Sequence, residues 1–362
     1  MSRESWFSWD CKFRKRYVVI HHLQFTIHNS YIAIFYLMEE QLFIQRTDLS
    51  ALSEAVASIR NEIKKVIVGQ DDMVKLIIAA LLADGHVLIE GVPGVAKTLT
   101  ARLVARSLDI NFSRIQFTPD LMPSDVLGTP IFNPQQASFE FRKGPVFGNV
   151  ILIDEINRSP AKTQAALFEI MEERQATVDG RTYPMPSPFM VLATQNPIEH
   201  EGTYRLPEAQ LDRFLFKILV PYPTESEEVT ILSQFHQMGN APIFEMVRPV
   251  LNGAQIISLR QQIKTLIIEE KLLQFIAKFI HQTRNHKSIY LGASPRASLA
   301  IMNASKAIAA INGRDFVTPE DIVEVFGPVL RHRIILSPDK EMEGVTEDEV
   351  IRQIVNGIDI PR

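Results

Sequence analysis

The sequence predicts an α/β domain with a five-stranded parallel sheet flanked by helices, followed by a domain made of helices alone. Two observations lead to this prediction. Short, almost wholly apolar runs, typical of buried parallel strands, alternate with helical patterns in the middle of the chain. After Pro221 the strand patterns stop and helical patterns take over. With 362 residues, the chain is long enough for two domains.

Composition excludes several classes of protein. The chain is 46% hydrophobic and 22% charged, as expected for a globular protein with a sizeable core. A net charge of −4 gives no general attraction to nucleic acid or to an anionic membrane, so we expect neither as a partner. Cys11 is the single cysteine, which rules out a disulfide framework and fits a reducing compartment such as the cytoplasm.

Residues 1–37 differ from the rest of the chain. They are more basic than acidic and contain both tryptophans. The apolar run 17–37 is interrupted by three histidines, Gln24 and Asn29, so we expect no transmembrane helix there. From Met38 the sequence becomes acidic and amphipathic. We therefore expect 1–37 to be an atypical extension of a native protein that starts at Met38, with an α/β domain at 38–222 and a helical domain at 223–362.

The elements of the α/β domain follow from apolar spacing and turn signals. Residues 118–145, rich in Pro, Gly, Asp and Ser, look like an insertion whose aromatic residues pack locally (Phe139, Phe141, Phe147). Asp179-Gly180 predicts a hairpin. The remaining expected elements are helices at 49–65, 71–85 and 163–174, a short helix ending near 213, and strands at 87–90, 112–117, 149–154, 189–194 and 216–220.

The helical domain is expected to contain helices at 225–237, 254–265, 270–284 and 296–312, with another after Thr318. Ser294-Pro295 and Thr318-Pro319 each place an N-cap residue before a proline at the first helical position. Gly313 and Gly327 fit helix ends.

The stretch Gly91–Thr98, GVPGVAKT, lies between a strand and a helix and predicts a phosphate-binding loop. In such a loop backbone N–H groups hold an anion at a helix N-terminus. Lys97 would reach the β- and γ-phosphates, and the Thr98 hydroxyl would ligate Mg²⁺. Ala96 stands where the common motif has glycine, and close approach of a phosphate remains possible there if φ is negative. The alternative is an ordinary strand-to-helix turn with a surface lysine.

Polar residues follow two later strands. Asp154 and Glu155 end the strand NVILID, so both acids are expected at the carboxyl edge of the sheet, where ligands bind. There Asp154 would hold Mg²⁺ and Glu155 would polarise the attacking water. The alternative is the acidic start of a helix. Asn196, after the strand FMVLAT, either contacts the γ-phosphate or the water, or belongs to an Asn-Pro turn.

Two arginines are candidates for stabilising phosphate charge. Arg213 follows a short helix and could pair with Asp212 or Glu208, or point outward to a neighbour's nucleotide as an arginine finger. Arg296 is in the first turn of a helix, where a cation is disfavoured by the helix dipole. Such a cation is better explained if its partner is an anion such as a γ-phosphate.

Together these residues resemble the MoxR family of AAA+ ATPases. The resemblance extends from about Val66 to His332 and rests on the segments GVPGVAKT, QFTPDLMPSDVLG, GPVF, DEINRSPAKTQAALFEIMEERQATVDG, ATQNPIEHEGTYRLPEAQLDRF and SPRA. Alanine before the lysine is usual in that family. Arg205 departs from it, since proline is usual before LPEAQLDRF, and this leaves open whether Arg205 or Arg213 is the finger.

The resemblance implies an Mg²⁺-dependent ATP hydrolase with a helical lid. It implies Asn196 as sensor 1, Arg213 as arginine finger and Arg296 as sensor 2. The Walker B residues would be Asp154 and Glu155, with Mg²⁺ on Thr98 and Asp154. Nucleotide would be bound by Val68, Gly69 and Gln70 at the adenine and by Gly91, Val92, Pro93, Gly94, Val95, Ala96, Lys97, Thr98 and Leu99 around the phosphates.

AAA+ relatives generally assemble into rings, usually hexamers, with ATP held between subunits. The resemblance therefore implies a homo-oligomeric, chaperone-like protein that remodels or activates partner complexes. MoxR proteins often act with von Willebrand factor A domain proteins, and here such a partner would be a separate chain.

Three other functions remain open at this point. One is the ATPase subunit of a magnesium-chelatase-like complex, which shares these motifs. Another is a nucleotide-gated binding module with little turnover, disfavoured because Glu155, Asn196 and Arg296 occur together. The third is a DNA-translocating motor, disfavoured by the acidic balance although Arg142-Lys143 could make local contacts.

Overall fold

The computed structural model describes residues 48–197, 204, 206–238 and 243–361. The expected extension at 1–37, the expected start at Met38 and the candidate finger Arg205 lie outside these residues.

The described chain is built on a five-stranded parallel sheet with the strand order β10-β1-β9-β6-β3. This confirms the predicted fold class. Four of the strands are short, mostly apolar runs, and β6 is buried along its whole length. The edge strand β3 instead alternates apolar and polar residues. The strands are β1 (Val87–Gly91), β3 (Phe112–Gln116), β6 (Val150–Asp154), β9 (Met190–Gln195) and β10 (Phe216–Val220).

Helices cover both faces of the sheet. Alternate residues of β1 show this, because Val87 and Ile89 belong to one apolar cluster and Leu88 belongs to the other. The helices of this part are α1 (Ser50–Lys64), α2 (Asp71–Leu82), α3 (Lys97–Arg106), α4 (Pro123–Leu127), α5 (Ala161–Glu173) and α6 (Glu208–Leu211).

Two hairpins interrupt the α/β order. In the predicted insertion, β4 (Gly128–Asn133) pairs with β5 (Ser138–Lys143). At the predicted Asp179-Gly180 turn, β7 (Gln175–Val178) pairs with β8 (Arg181–Pro184). Phe141 stacks on Tyr183 at 4.3 Å between ring centroids, so the hairpins touch. Phe141 and Phe147 pack locally as expected, whereas Phe139 is 68% exposed and contacts Phe132.

The chain beyond β10 is predominantly helical, as predicted. Its helices are α7 (Glu225–Met238), α8 (Gly253–Lys264), α9 (Glu270–Asn285), α10 (Pro295–Ile311), α11 (Pro319–Leu330), α12 (Pro338–Met342) and α13 (Glu347–Asn356). Short strands pair in two further ladders, β2 (Leu108–Asp109) with β11 (Leu251–Asn252) and β12 (Ile289–Leu291) with β13 (Ile335–Leu336).

The helix signals of this part were mostly right. Ser294 and Thr318 are N-cap residues, and Asp321 completes a capping box with Thr318. Gly313 lies just beyond α10 with φ +74°. The expectation that Gly327 ends a helix was wrong, since α11 continues through it to Leu330 and even contains Pro328.

No helix among the described residues is both long and apolar enough to cross a membrane.

His86, directly before β1, is buried and neutral, and its ring contacts the backbone of two other segments. Its Nδ1 accepts a hydrogen bond from the Val191 amide at 2.9 Å, and its Nε2 lies 3.2 Å from the Met171 carbonyl oxygen. Burial, as the main cause, and the charge of Arg174 lower the pKa of His86 to about 3. The folded protein therefore keeps this imidazole neutral at pH values where an unfolded chain would protonate it.

The first prediction concerns acid sensitivity. Because the folded pKa of His86 is below 6.5, the unfolded state binds the extra proton as pH falls. The free energy of unfolding should therefore drop below pH 6.5 by about 1.4 kcal/mol per pH unit on account of this residue. In His86→Gln the slope between pH 6 and 5, measured by urea titration, should be shallower by about that amount. An unchanged slope would contradict the assignment.

Candidate functional site

The predicted phosphate-binding loop connects β1 to α3. Strand β1 ends at Gly91, and α3 begins at Lys97. Gly94 has φ +88°, a left-handed conformation that glycine adopts without strain. The turn therefore points the start of α3, with its unpaired N–H groups, at the carboxyl edge of the sheet.

Ala96 differs from the expectation. Its φ is +57° and its ψ is 22°, so it is left-handed, and the condition of a negative φ is not met. The loop must reverse direction immediately before the helix, which is why the common motif places glycine here. Alanine fills the same conformation at a steric cost of about 1–2 kcal/mol.

Lys97 lies over the loop. Its ammonium donates hydrogen bonds to the carbonyl oxygens of Gly91 and Val92, the latter at 2.9 Å. The positive charge is thus held at the turn that follows β1, beside the N-terminus of α3.

Asp154, the last residue of β6, links the phosphate-binding loop to the sheet. The hydroxyl of Thr98 donates to its Oδ1 at 2.8 Å, and the hydroxyl of Thr194, at the end of β9, donates to the same oxygen at 3.3 Å. Arg114 Nε donates to Oδ2 at 2.6 Å. The carboxylate is 3% exposed, so these contacts compensate for its burial. The two predicted metal ligands, Thr98 and Asp154, are therefore in direct contact.

Glu155 occupies a strained position next to it. Its φ is +58°, and its amide donates to the Thr194 hydroxyl at 3.1 Å. The carboxylate accepts from Gln116 Nε2 at 2.7 Å and lies 3.3 Å from Arg158 Nε. Because of this left-handed conformation, the chain at Glu155 leaves the direction of β6, while the residue stays at the same edge of the sheet as Asp154.

Arg114 and Gln116 were not predicted from the sequence. They project from the same side of β3, two residues apart, and contact the two adjacent acids. The polar alternation of FSRIQF was a signal that these two residues share a face. Their partners become evident only because β3 is placed next to β6.

Asn196 directly follows β9, which lies between β1 and β6 in the sheet. It is 6% exposed. It therefore lies at the carboxyl edge of the sheet, between the strand that leads into the phosphate-binding loop and the strand that ends at Asp154.

A cleft of about 860 Å³ adjoins the loop on the side of the helical part. The predicted adenine-contacting residues Val68, Gly69 and Gln70 line it, and so does Leu99. The Gln70 amide is already engaged, because it donates to the Val95 carbonyl and accepts from the Thr100 hydroxyl at 2.6 Å. Later elements complete the wall of this cleft, namely 218–224, Glu227, Ile231, Phe235, Glu324, Pro328 and Arg331.

Arg213 is half-buried at the amino edge of the sheet, before β10. One of its terminal nitrogens donates to the Phe168 carbonyl. Among the described residues, its Nε has no hydrogen-bond partner, and no ion pair joins it to Asp212 or Glu208. The side chain also borders a cavity of about 190 Å³ with Glu169, Glu172 and Glu173.

Arg296 lies at the same edge and not at the phosphate-binding loop. Its guanidinium is 3.7 Å from Glu172 and 3.9 Å from Asp212, and it is 64% exposed. Both partners lie at the amino edge of the sheet. Asp212 precedes β10, and Glu172 lies near the end of α5. Directly after α5, Arg174 donates to the carbonyl of Asp84, which precedes β1. The strands separate this edge from Lys97 by about 15 Å. Arg296 is therefore not placed to reach a γ-phosphate held by its own loop.

The donor set at Thr98 and Asp154 suits Mg²⁺. This ion prefers oxygen ligands and is usually bound by one or two carboxylates or hydroxyls together with water and substrate phosphates. Within the described ranges, no group of three or more His, Cys, Asp or Glu side chains is arranged to hold a metal by itself. The residues thus fit an ion that arrives with a nucleotide.

Comparison with known proteins agrees with this geometry. Residues 86–216 match the ATPase family associated with various cellular activities (AAA), and residues 281–354 match the AAA lid domain. The chain is 46% identical to the protein YeaC of Bacillus subtilis over 299 residues, which is 83% of this chain and 92% of YeaC. It is 44% identical to Chaperone MoxR1 of Mycobacterium tuberculosis over 310 residues, 83% of this chain and 81% of MoxR1.

A crystal structure from Cytophaga hutchinsonii, described as that of a "putative ATPase", superposes with a TM-score of 0.79 at 42% identity. The match covers 86% of this chain and 96% of the other. Sheet, loop and lid thus define an AAA+ ATPase. The chain belongs to the MoxR family of these enzymes.

The second prediction follows from the left-handed Ala96. Ala96→Gly should raise the free energy of unfolding by about 1 kcal/mol, because glycine adopts a positive φ without the Cβ clash. Ala57→Gly is the matched control. Ala57 is exposed within α1, where glycine should lower stability by about 1 kcal/mol. A loss of stability in both variants, measured by urea unfolding, would be inconsistent with strain at Ala96.

Proposed function

We propose that this chain hydrolyses Mg²⁺-ATP at the carboxyl edge of the sheet and uses the cycle to remodel or activate partner protein complexes. The hydrogen bond from Thr98 to Asp154 is the main support. It joins the phosphate-binding loop to the acidic end of β6, so a triphosphate on the loop would be next to both acids.

Binding would depend on the loop and the cleft. Lys97 would exchange its contacts with the Gly91 and Val92 carbonyls for phosphate oxygens, and the N–H groups at the start of α3 would hold the same anion. The base would occupy the cleft against Val68 and Gly69. Mg²⁺, held by Thr98 and Asp154, would neutralise charge that develops on the phosphates.

Hydrolysis would depend on Glu155. Its carboxylate would accept a proton from the attacking water, and Asn196 would orient that water or the γ-phosphate. Gln116 and Arg158, which contact the carboxylate, fix its direction. Arg114 would similarly hold Asp154 in place for the metal.

The arginines would act between subunits. Arg213 and Arg296 lie at the edge of the sheet that is away from their own loop. Both are close to Asp212 and Glu172, which supports a shared role. In a ring, this edge would face the nucleotide of a neighbouring subunit. Arg213 would then be the finger and Arg296 a second cation acting in trans on the same phosphates.

Similarity to Chaperone MoxR1 supports a homo-oligomeric, chaperone-like protein. We propose a hexameric ring that acts in the cytoplasm, since the single cysteine fits a reducing compartment. We also propose a separate von Willebrand factor A domain protein as partner. A pull-down with Glu155→Gln in ATP, followed by identification of the captured chains, tests this. Capture of a porphyrin-binding subunit would favour a chelatase-like complex instead.

The third prediction separates binding from turnover. Glu155→Gln should retain ATP affinity and lose turnover by about 10²–10⁴-fold, because the amide cannot accept the proton of water. Lys97→Ala should lose ATP binding itself. The measurements are ATP titration by calorimetry and steady-state phosphate release.

Glu54→Gln, a substitution of the same kind on the exposed face of α1, is the control and should behave as the unaltered chain. Normal hydrolysis by both Glu155→Gln and Lys97→Ala would remove these residues from the proposed mechanism.

The fourth prediction tests action in trans. Arg213→Ala subunits should lose turnover by about 10³-fold or more. Mixed with Glu155→Gln subunits, which carry an intact Arg213, they should regain part of it, although neither variant is active alone. Arg296→Ala should show the same recovery. Absence of recovery, with both variants assembled, would mean that these arginines serve their own subunit.

A further inference from the structure

Arg333 is a buried arginine in the turn after α11, and its contacts cross from the lid to the sheet domain. Its side chain is 5% exposed. The guanidinium makes five hydrogen bonds, of which four go to Asp212, Phe214 and Leu215 and one goes to the Val329 carbonyl in α11. Arginine carries five N–H donors in a planar fork, so the whole group is committed to this junction.

Four of these hydrogen bonds go to one short segment, residues 212–215. Arg333 Nε donates to Asp212 Oδ1 at 2.6 Å, and Nη2 donates to the carbonyls of Asp212 at 2.9 Å and Phe214 at 2.7 Å. Arg213 is the residue between them. The backbone on both sides of the proposed finger is therefore held by a lid residue.

Within the described part of the chain, the side chain of Arg213 makes one hydrogen bond. Its described hydrogen bond goes to the Phe168 carbonyl, while Nε has no partner within the described part of the chain. The direction in which this guanidinium points therefore depends strongly on the backbone at 212–214.

The carboxylate of Asp212 extends the same junction to Arg296. Its Oδ1 binds Arg333, and its Oδ2 lies 3.9 Å from Arg296 Nη1. The pair with Arg333 is largely buried, whereas Arg296 is 64% exposed and weakly held. Arg333 thus fixes the acid that adjoins the second proposed cation.

We propose that Arg333 is a positioning residue for ATP hydrolysis in the neighbouring subunit: by clamping residues 212–215 from the lid, it presents Arg213 and Arg296 to the neighbour's phosphates. This inference rests on the proposed action of these arginines in trans. Arg333 itself is buried and touches no nucleotide. A lid movement that loosened the clamp would lower hydrolysis in the next subunit and leave the subunit's own binding residues unchanged.

Arg333→Lys tests this directly, because lysine keeps the charge but has only three donors on one nitrogen and cannot bind the segment in the same way. We expect kcat to fall by about 10²-fold from misplacement of the finger, with KM for ATP unchanged. Arg314→Lys is the matched control. Arg314 pairs with Asp321 and Thr318 within the lid, so its loss should affect stability but not kcat.

A subunit-mixing assay distinguishes a positioning role of Arg333 from a purely structural role. Glu155→Gln subunits, with an intact clamp, should restore turnover to Arg333→Lys subunits. The double variant Glu155→Gln with Arg333→Lys should not, because it offers its neighbour a misplaced finger. Equal restoration by both donors, or a kcat unchanged in Arg333→Lys, would overturn the proposal.

Two further measurements keep the outcome decisive. If Arg333→Lys does not fold, as judged by its thermal unfolding curve, Asp212→Asn replaces it. This isosteric substitution weakens the same contact, so we expect kcat to fall here as well. If Arg213→Ala retains full turnover, action in trans fails as a whole. If Arg213→Ala loses turnover while the clamp variants do not, only the role of Arg333 fails.

Discussion

The site depends on the burial of one carboxylate. Asp154 ends the buried strand β6 and accepts hydrogen bonds from the loop helix, from the central strand β9 and from β3. An unpaired carboxylate at this depth would be costly, so its partners have to be in place when the sheet forms. The same contacts that compensate for burial bring Thr98 next to Asp154. Fold stability and the geometry of the proposed metal-nucleotide site thus have a common origin.

The two edges of the sheet carry different parts of the chemistry. Loop, acids and Asn196 lie at the carboxyl edge, while Arg213 and Arg296 lie at the amino edge with the lid residue Arg333. If the arginines act on ATP as proposed, a single subunit would hold two halves of a site that are separated by the length of the strands. Assembly of subunits would bring the halves together, and this placement supports the proposed ring independently of the similarity to relatives.

Much of the fold could be predicted because its elements carry local signals. Four of the five strands are short, mostly apolar runs, β3 shows an alternating pattern, and capping residues such as Thr318 mark helix starts. Thr346 with Glu349 marks α13 in the same way, although that helix was not predicted. The left-handed φ of Ala96 could not be read from residue type. The contacts of Arg114, Arg296 and Arg333 depend on strand order and lid docking, which involve residues distant in sequence.

The most direct test of this account is a structure of the assembled Glu155→Gln variant with ATP and Mg²⁺. We expect Lys97 on the phosphates, the metal on Thr98 and next to Asp154, and the guanidinium of Arg213 from the adjacent subunit at the γ-phosphate. A triphosphate contacted by Arg213 or Arg296 of its own subunit, or one bound away from Asp154, would contradict the account.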